Sequence, residues 1–152
     1  TLQHMKLHGA FYNTACVTPA LADAVLDGLQ AVNPNIAAMV LSGSYIAKEA
    51  ERRGIPVIQE VFADRGYTDE GTLVPRTEPG AFIKDPQEAL ERVLMMVKEG
   101  KVVTNTGNTI DIVADSICVH GDNPEAIAFT KNIREGLVKA GVTVTNFQDR
   151  KK

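Results

Sequence analysis

Residue types that mark particular protein classes are scarce in this sequence. Its 152 residues include no tryptophan, only 5% aromatic residues and two cysteines, Cys16 and Cys118. Two cysteines so far apart are too few for a disulfide framework or a thiolate metal cage. We therefore expect two reduced thiols.

Strong charge and long apolar runs are also missing. The formal net charge is −3 and no run of like charges occurs, which excludes the basic footprint of a nucleic-acid-binding domain. No stretch approaches the ~18 apolar residues of a membrane span, and the first residues lack the basic and apolar regions of a signal peptide. We expect a cytoplasmic protein that binds neither nucleic acid nor membrane.

Familiar catalytic motifs are absent as well. The sequence contains no phosphate loop of the GxxxxGK type, no GxGxxG after a strand and no GxSxG nucleophile elbow. Its three histidines have no HExxH spacing, so no metal site is predicted. What remains is an ordinary balance of 44% hydrophobic and 23% charged residues, which predicts a single domain over residues 1–152.

Proline and glycine divide the chain into regular units. Helices are predicted to begin at Thr18-Pro19, Ser44, Asp85-Pro86 and Asn123-Pro124, each from a capping residue and three of them with proline at the first helical position. Short apolar runs predict buried strands over 36–41, 56–63, 116–120 and 142–145, besides a first strand that ends near Lys6. Residues 101–113 predict a small hairpin.

This order of elements indicates consecutive βα units. Strand, polar loop, helix and next strand recur along the chain, so we expect an α/β fold with a mainly parallel sheet and helices outside. Ligands of such folds lie beyond the carboxyl ends of the strands. The polar residues predicted at those ends are Lys6, His8, Ser42, Glu60, Asp64, His120 and Asp122.

Two histidines at strand ends are each followed by glycine. His8 precedes Gly9 and His120 precedes Gly121, so both imidazoles lie beside backbone that can approach a ligand closely. Neutral imidazole can transfer a proton near pH 7. The alternative for either histidine is a hydrogen bond to a loop, but two such pairs favour a function. We expect His8, Asp64 and His120 to converge in one cleft.

Residues 64–84 have neither helical nor strand periodicity. A loop of that length is usually functional or disordered, and its aromatic, proline and glycine residues favour an ordered lid or binding loop over the cleft. Asp64 can orient a histidine or a water, and Arg76 can hold a carboxylate in two parallel hydrogen bonds. The alternative is an internal Asp–Arg ion pair that pins the loop.

Other polar residues have equally ordinary interpretations. Asp122 is either a helix cap or a catalytic carboxylate. Tyr12 and Asn13 follow His8 and are candidates for substrate contact, although Tyr12 fits half-buried packing as well. A solvated helix face is predicted for the charged residues Lys48, Glu49, Glu51, Arg52 and Arg53.

Three motifs in order resemble the LamB/YcsF family. They are the run KLHGAFYN from Lys6, the loop from Val61 to Ala81 with VFADRGY and GTLVPR, and DSICVHGDNP from Asp115. The resemblance covers nearly the whole chain. It departs from the family pattern at Leu7, where proline is usual, and at Gly66, where alanine is usual. Family members also carry a further βα half upstream, with an Asp-Leu-Asn motif.

The resemblance implies a fold and an activity. The fold is the second half of a (β/α) barrel of the glycoside hydrolase/deacetylase-like type. The activity is ATP-dependent hydrolysis of the cyclic amide of 5-oxo-L-proline to L-glutamate, with ATP, Mg²⁺ and further 5-oxoprolinase subunits as cofactors and partners. The site residues that it implies are Lys6, His8, Asp64, Arg65, Arg76, His120 and Asp122.

Roles for these residues follow from the chemistry of amide hydrolysis. We predict charge stabilisation by Lys6 and Arg65. Proton transfer is predicted for His8 or His120, with Asp64 or Asp122 orienting or activating water. Predicted substrate contacts come from Tyr12, Asn13, Glu60 and Arg76, with Arg76 at the substrate carboxylate.

Two other functional classes remain open at this point. One is a non-catalytic half-barrel that binds a partner or small ligand, and the other is a metal-dependent carbohydrate deacetylase-like enzyme. A closed barrel typically takes about 250 residues, so we also expect the chain to need a complementary N-terminal half or a homo-oligomeric neighbour. In an opened sheet, Met39, Val57 and Val119 are expected to face the barrel interior.

Overall fold

The computed structural model describes residues 2–120 and 124–149. Asp122 and the predicted helix cap at Asn123 lie outside these residues. The described strands are β1 (His4–Lys6), β2 (Ala37–Leu41), β3 (Val57–Phe62), β4 (Lys101–Val103), β5 (Thr109–Asp111) and β6 (Ser116–Cys118). The helices are α1 (Gly9–Val17), α2 (Pro19–Val32), α3 (Tyr45–Arg52), α4 (Pro86–Glu99) and α5 (Pro124–Lys139).

The main sheet is parallel, as predicted. Its strand order is β1-β2-β3-β6, and each neighbouring pair runs in the same direction. The predicted strands over 36–41, 56–63 and 116–120 correspond to β2, β3 and β6. The predicted hairpin is the antiparallel pair β4–β5.

Strand register divides the side chains of this sheet between two faces. Lys6 is paired with Met39, Met39 with Ile58, and Glu60 with Ser116. Because side chains alternate along a strand and paired residues share a face, one face can be assigned throughout. We call it the inner face, and it comprises His4, Lys6, Met39, Leu41, Ile58, Glu60, Phe62, Ser116 and Cys118.

The opposite face packs against the helices. Ala38 and Val40 belong to an apolar cluster with α2 and α3, whereas Ala63 belongs to a second cluster with Val93 of α4 and Ile133 of α5. The prediction that Val57 and Val119 face the barrel interior is therefore wrong. Both lie on the helix-facing side and pack against these clusters, while Met39 is on the inner face as predicted.

Contacts of Lys6 demonstrate that the sheet is curled. In a flat sheet, β1 and β6 would be about 14 Å apart, since neighbouring strands are separated by about 4.8 Å. Lys6 Nζ nevertheless lies 3.5 Å from Cys118 Sγ, two register positions farther along. The inner face is therefore concave.

Helix ends follow the predicted capping chemistry. The Ser44 side chain accepts a hydrogen bond from the Ala47 amide, and the Asp85 carboxylate accepts from the amides of Gln87 and Glu88. Pro19 and Pro86 occupy first helical positions. These caps explain why α2, α3 and α4 begin where the sequence predicts.

Helix α1 was not predicted. Gly9 has a φ of +60°, which lets the chain turn from β1 into the helix. Tyr12, Ala15 and Cys16 are buried at i, i+3 and i+4, the spacing of an apolar helix face. That spacing is the signal that the interpretation of residues 8–13 as a strand end and ligand loop missed.

The predicted strand over 142–145 is wrong. This segment has no strand pairing, and its first amide completes the end of α5 instead. The Val142 amide donates to the Leu137 carbonyl and the Gly141 amide donates to Val138, with Gly141 at φ +80°. This is a Schellman ending, in which two amides after the helix satisfy its last carbonyls.

The charged face predicted on α3 is only partly solvated. Glu49 is 8% exposed and accepts hydrogen bonds from Arg52 and Arg53, which lower the pKa of its carboxyl to about 2. Arg53 also bonds Asp23 and Asp27 of α2. The prediction of a fully solvated face is therefore wrong for Glu49 and Arg53, which join α3 to α2.

No single helix in the described ranges is long and apolar enough to cross a membrane. Helices α1 and α2 together have the required length and composition, but they meet at a bend of 112°.

Two glycines test the account of the helices. Gly28 lies on the exposed side of α2 with open space around its Cβ position, whereas Gly100 ends α4 at φ +65°. Gly28→Ala should stabilise the fold by about 0.5–1 kcal/mol. Gly100→Ala should destabilise it by about 1–2 kcal/mol, since alanine is strained in the left-handed region. Urea unfolding measures both, and equal shifts would contradict the assigned helix end.

Candidate active site

A buried ion pair lies at the centre of the inner face. Glu60 on β3 is 2% exposed, and its Oε1 accepts a hydrogen bond from Lys6 Nζ at 2.5 Å. The other oxygen, Oε2, accepts from the Tyr12 hydroxyl at 2.9 Å. A carboxylate removed from water needs such donors, because an unpaired buried charge is strongly destabilising.

Three different elements supply this cluster. Lys6 ends β1, Glu60 lies near the carboxyl end of β3, and Tyr12 comes from α1. Helix α1 begins directly after β1, so it returns the tyrosine ring over the sheet. The Tyr12 ring meets Phe62 edge-on, with 5.7 Å between the ring centroids. The cluster therefore has an aromatic wall.

The environment fixes the protonation states of the cluster. Burial lowers the pKa of Lys6, but the hydrogen bond and charge of Glu60 outweigh it, so the net pKa is raised. Burial, and then the Glu60 charge, raises the pKa of Tyr12 well above its ordinary value. At neutral pH the cluster thus consists of an ammonium, a carboxylate and a phenol.

Cys118 and Phe62 complete the surroundings of Lys6. The ammonium lies 3.5 Å from Cys118 Sγ and 5.5 Å from the centroid of the Phe62 ring. Burial and the nearby Glu60 raise the pKa of Cys118, so its sulfur remains a thiol. Burial also raises the pKa of Cys16, to about 11. Neither cysteine has the low pKa of a nucleophilic thiolate.

A second polar pair lies just past the strand ends. Asp64 follows β3 and His120 follows β6, and Asp64 Oδ2 is 2.5 Å from His120 Nδ1. The imidazole is 38% exposed and the carboxylate 20% exposed. The ring centroids of Phe62 and His120 are 6.4 Å apart, so Phe62 adjoins both polar groups. The expected meeting of Asp64 and His120 is thus present.

Other predicted site residues have different surroundings. His8 is exposed at the start of α1, where its side chain makes no capping hydrogen bond. Asn13 is exposed on the same helix. Within the described ranges, no hydrogen bond joins either side chain to Asp64 or His120.

Arg65 stabilises the loop through carbonyl groups. It is 3% exposed, its Nε donates to the Ala81 carbonyl at 2.9 Å, and a terminal nitrogen donates to the Val74 carbonyl at 2.6 Å. The predicted alternative, an Asp–Arg ion pair, is absent from the contacts of the described residues. Arg65 pins the loop without a carboxylate partner.

The loop over 64–84 is ordered and joined to the hairpin. Asp69 accepts hydrogen bonds from the side chains of Thr104, Thr106 and Asn108. A Cβ on Gly66 would lie 2.0 Å from the Gly80 carbonyl oxygen, so this path requires glycine. The prediction of an ordered loop is confirmed, whereas coverage of the cleft stays a prediction.

Arg76 is exposed and lies over an aromatic ring in this loop. Its guanidinium carbon is 5.5 Å from the centroid of Phe82, and Arg65 lies 5.1 Å from the same centroid. Burial, and then the charge of Arg76, lowers the pKa of Arg65, which places the two cations close together. Phe82 forms a backbone bridge with Arg65, so Arg76 is held near the base of the loop.

Three residues near the site were not singled out from the sequence. Cys118 and Phe62 line it, and Tyr67 supports it from the loop. The Tyr67 hydroxyl accepts a hydrogen bond from the Phe62 amide at 2.9 Å, beyond the end of β2. Alternation along the predicted strands places Phe62 and Cys118 on the same face as Glu60, and this signal was available in the sequence.

A cavity of about 630 Å³ lies at the opposite end of the sheet. It is lined by residues at the amino ends of strands, by α5 and by residues 142–147. Ligands of parallel α/β folds bind at the carboxyl ends, so we place the site at Lys6, Glu60 and His120. The described residues contain no group of three or more histidine, cysteine or acidic side chains arranged to hold a metal ion.

Comparison with known proteins gives a consistent set of relatives. The model of the LamB/YcsF family matches residues 1–152. The chain is 58% identical over 148 residues to the A-type subunit of 5-oxoprolinase from Fusobacterium nucleatum, covering 97% of this chain and 58% of that protein. It is 47% identical to the corresponding 5-oxoprolinase protein of Pyrococcus abyssi, with the same coverage of both proteins.

A solved structure has the same fold. The crystal structure of a lactam utilization protein from Thermus thermophilus aligns with a TM-score of 0.87 at 39% identity. The match covers 97% of this chain and 58% of that one. The chain thus spans a little more than half the length of the proteins that it matches.

The ion pair can be tested by removing one partner. Lys6→Met leaves Glu60 buried with only Tyr12 as a donor, so we expect a loss of about 3 kcal/mol in unfolding free energy. Lys6→Met combined with Glu60→Gln should lose less, because the remaining side chain is neutral and can still accept from Tyr12. Denaturant unfolding measures both. A single variant as stable as the unaltered chain would show that Glu60 is well solvated.

Proposed function

Because this chain belongs to the LamB/YcsF family, we propose that it is part of an A-type subunit of 5-oxoprolinase. The reaction is hydrolysis of the cyclic amide C–N bond of 5-oxo-L-proline to give L-glutamate, coupled to ATP hydrolysis. The observation that carries this proposal is the buried Lys6–Glu60–Tyr12 cluster at the strand ends, in a chain that resembles two A-type 5-oxoprolinase subunits at 47–58% identity.

The cluster offers groups that suit a small lactam. A lactam has a polar amide edge and an apolar ring edge, and ligand pockets pair apolar walls with a few placed polar groups. Phe62 and Tyr12 supply aromatic surface, while Lys6 supplies positive charge. Negative charge develops on the amide oxygen as water adds, so a nearby ammonium stabilises the transition state.

Glu60 and Tyr12 support that role of Lys6. Glu60 holds the ammonium at 2.5 Å, and Tyr12 satisfies the second carboxylate oxygen. In our proposal the carboxylate keeps Lys6 charged and oriented. Arg76 binds the substrate carboxylate as a bidentate partner. The buried Arg65 stabilises the loop that carries Arg76.

ATP does not fit the described part of the site by itself. A triphosphate needs several cationic or backbone donors together, and among the described contacts Lys6 is the cation brought to the cluster, where it is committed to Glu60. We therefore assign no step to ATP or Mg²⁺ on this chain. In the proposal, nucleotide and metal bind where further polypeptide joins the site.

Several broader features belong to the same proposal. We propose that the curled parallel sheet is half of a (β/α) barrel of the glycoside hydrolase/deacetylase-like type. A complementary N-terminal half or a homo-oligomeric neighbour completes it. The other 5-oxoprolinase subunits are its partners, and the complex is cytoplasmic.

Glu60 provides the direct test of this function. The measurement is glutamate formation from 5-oxo-L-proline and ATP by the complete enzyme, with its companion subunits. Glu60→Gln should lower kcat by about 100-fold, because Lys6 loses its counter-charge. The matched control is Glu99→Gln, at the exposed end of α4, which should keep full activity. No lactam cleavage by the unaltered enzyme, or full activity of Glu60→Gln, would contradict the proposal.

Arg76 tests the placement of the substrate. Arg76→Ala should raise KM for 5-oxo-L-proline by about tenfold or more while leaving the melting temperature nearly unchanged, since the side chain is exposed. Lys98→Ala removes an exposed cation from the end of α4 and serves as the control. A large loss of stability with unaltered KM would show that Arg76 has a structural role.

A further inference from the structure

The Asp64–His120 pair differs from the other histidine of the site in its contacts. Asp64 Oδ2 lies 2.5 Å from His120 Nδ1, whereas the His8 side chain makes no capping contact and is exposed. A carboxylate accepts hydrogen bonds and cannot donate them when ionised. The proton between these atoms therefore belongs to Nδ1 of His120.

This contact determines the tautomer of the ring. A neutral imidazole has one protonated nitrogen and one nitrogen with a free lone pair. With the proton held on Nδ1, the lone pair is on Nε2, at the opposite side of the ring from Asp64. The imidazole is 38% exposed, which leaves a path for water or substrate to this part of the site.

The surroundings place this pair beside the ion-pair cluster. Phe62 contacts Tyr12 edge-on at 5.7 Å between centroids and lies 6.4 Å from the His120 ring. A planar ring substrate packed on Phe62 would therefore reach both polar groups. Asp64 Oδ1 is buried and accepts no hydrogen bond within the described ranges. A buried carboxylate oxygen without a donor is costly, which favours a water or substrate N–H at this position.

We propose that His120 is the proton-transfer residue of this site through its Nε2 atom, and that Asp64 is its positioning residue. This inference rests on the proposed lactam hydrolysis. Nε2 accepts a proton from water as the water oxygen bonds to the amide carbon. It returns that proton to the ring nitrogen, which takes the electron pair of the breaking C–N bond. His8 has no part in this transfer.

The tautomer can be measured without any substrate. The ¹⁵N chemical shifts of the imidazole nitrogens distinguish a protonated nitrogen from one with a free lone pair. The neutral His120 ring should carry its proton on Nδ1 in the unaltered protein, and Asp64→Asn should reduce that preference. A ring protonated on Nε2 in the unaltered protein would overturn the inference, whether or not the enzyme cleaves lactams.

Asp69→Asn is the matched control for loop effects. Asp69 also accepts side-chain hydrogen bonds in the 64–84 loop, but its partners are Thr104, Thr106 and Asn108. This variant should keep the Nδ1 tautomer, whereas Asp64→Asn should not. Loss of the tautomer in both variants would mean that loop structure positions His120, and would overturn the role of Asp64.

Turnover gives the second arm of the experiment. In the complete enzyme, Asp64→Asn should lower kcat by about 100-fold or more with little change in KM, and Asp69→Asn by less than tenfold. His120→Ala should regain activity on addition of free imidazole, and His8→Ala should retain most of its activity. Equal kcat losses for Asp64→Asn and Asp69→Asn, or rescue of a His8→Ala defect by imidazole, would overturn the assignment.

Discussion

Lys6 on β1 and Glu60 on β3 are joined across the intervening strand β2, with their charged atoms 2.5 Å apart. Neither group tolerates burial without the other, because removing one partner leaves a charge away from water. The pair therefore constrains the sheet around it. The strands must curl enough for a lysine on the first strand to reach the third, and α1 must return Tyr12 to the second carboxylate oxygen. The concave inner face is the geometric result.

This constraint separates the two ends of the inner face. Met39 and Ile58 are apolar and lie toward the amino ends of their strands, whereas Glu60, Asp64 and His120 lie at or past the carboxyl ends. The polar groups thus occur where loops of a parallel α/β fold converge. Electrostatic interactions are stronger where water is excluded. A buried ammonium, with its pKa raised by Glu60, suits the stabilisation of charge that develops on an amide oxygen.

Local chemistry made much of this fold predictable. Thr18-Pro19, Ser44 and Asp85-Pro86 mark helix starts through caps and prolines that act over one turn, and apolar runs mark the buried strands. Failures occurred where local patterns were ambiguous. The segment 142–145 is rich in β-branched residues, but its first amide is used to end α5, and it has no strand partner among the described residues. Alternation along strands was not applied to Val57 and Val119, which face the helices.

The candidate site was predictable in its residues but not in its pairings. Lys6, Glu60, Asp64 and His120 follow from the rule that ligands bind at strand ends. Their contacts depend on register and curl, which relate residues 54 and 56 positions apart. Arg65 was expected at the chemistry, but two backbone carbonyls occupy its guanidinium. The central claim is that the concave end of this sheet binds the lactam. A crystal structure of the complete enzyme with 5-oxo-L-proline tests it most directly. The account predicts the ring against Phe62, with its amide oxygen near Lys6. A lactam bound instead in the cavity beside α5 and residues 142–147 would contradict it.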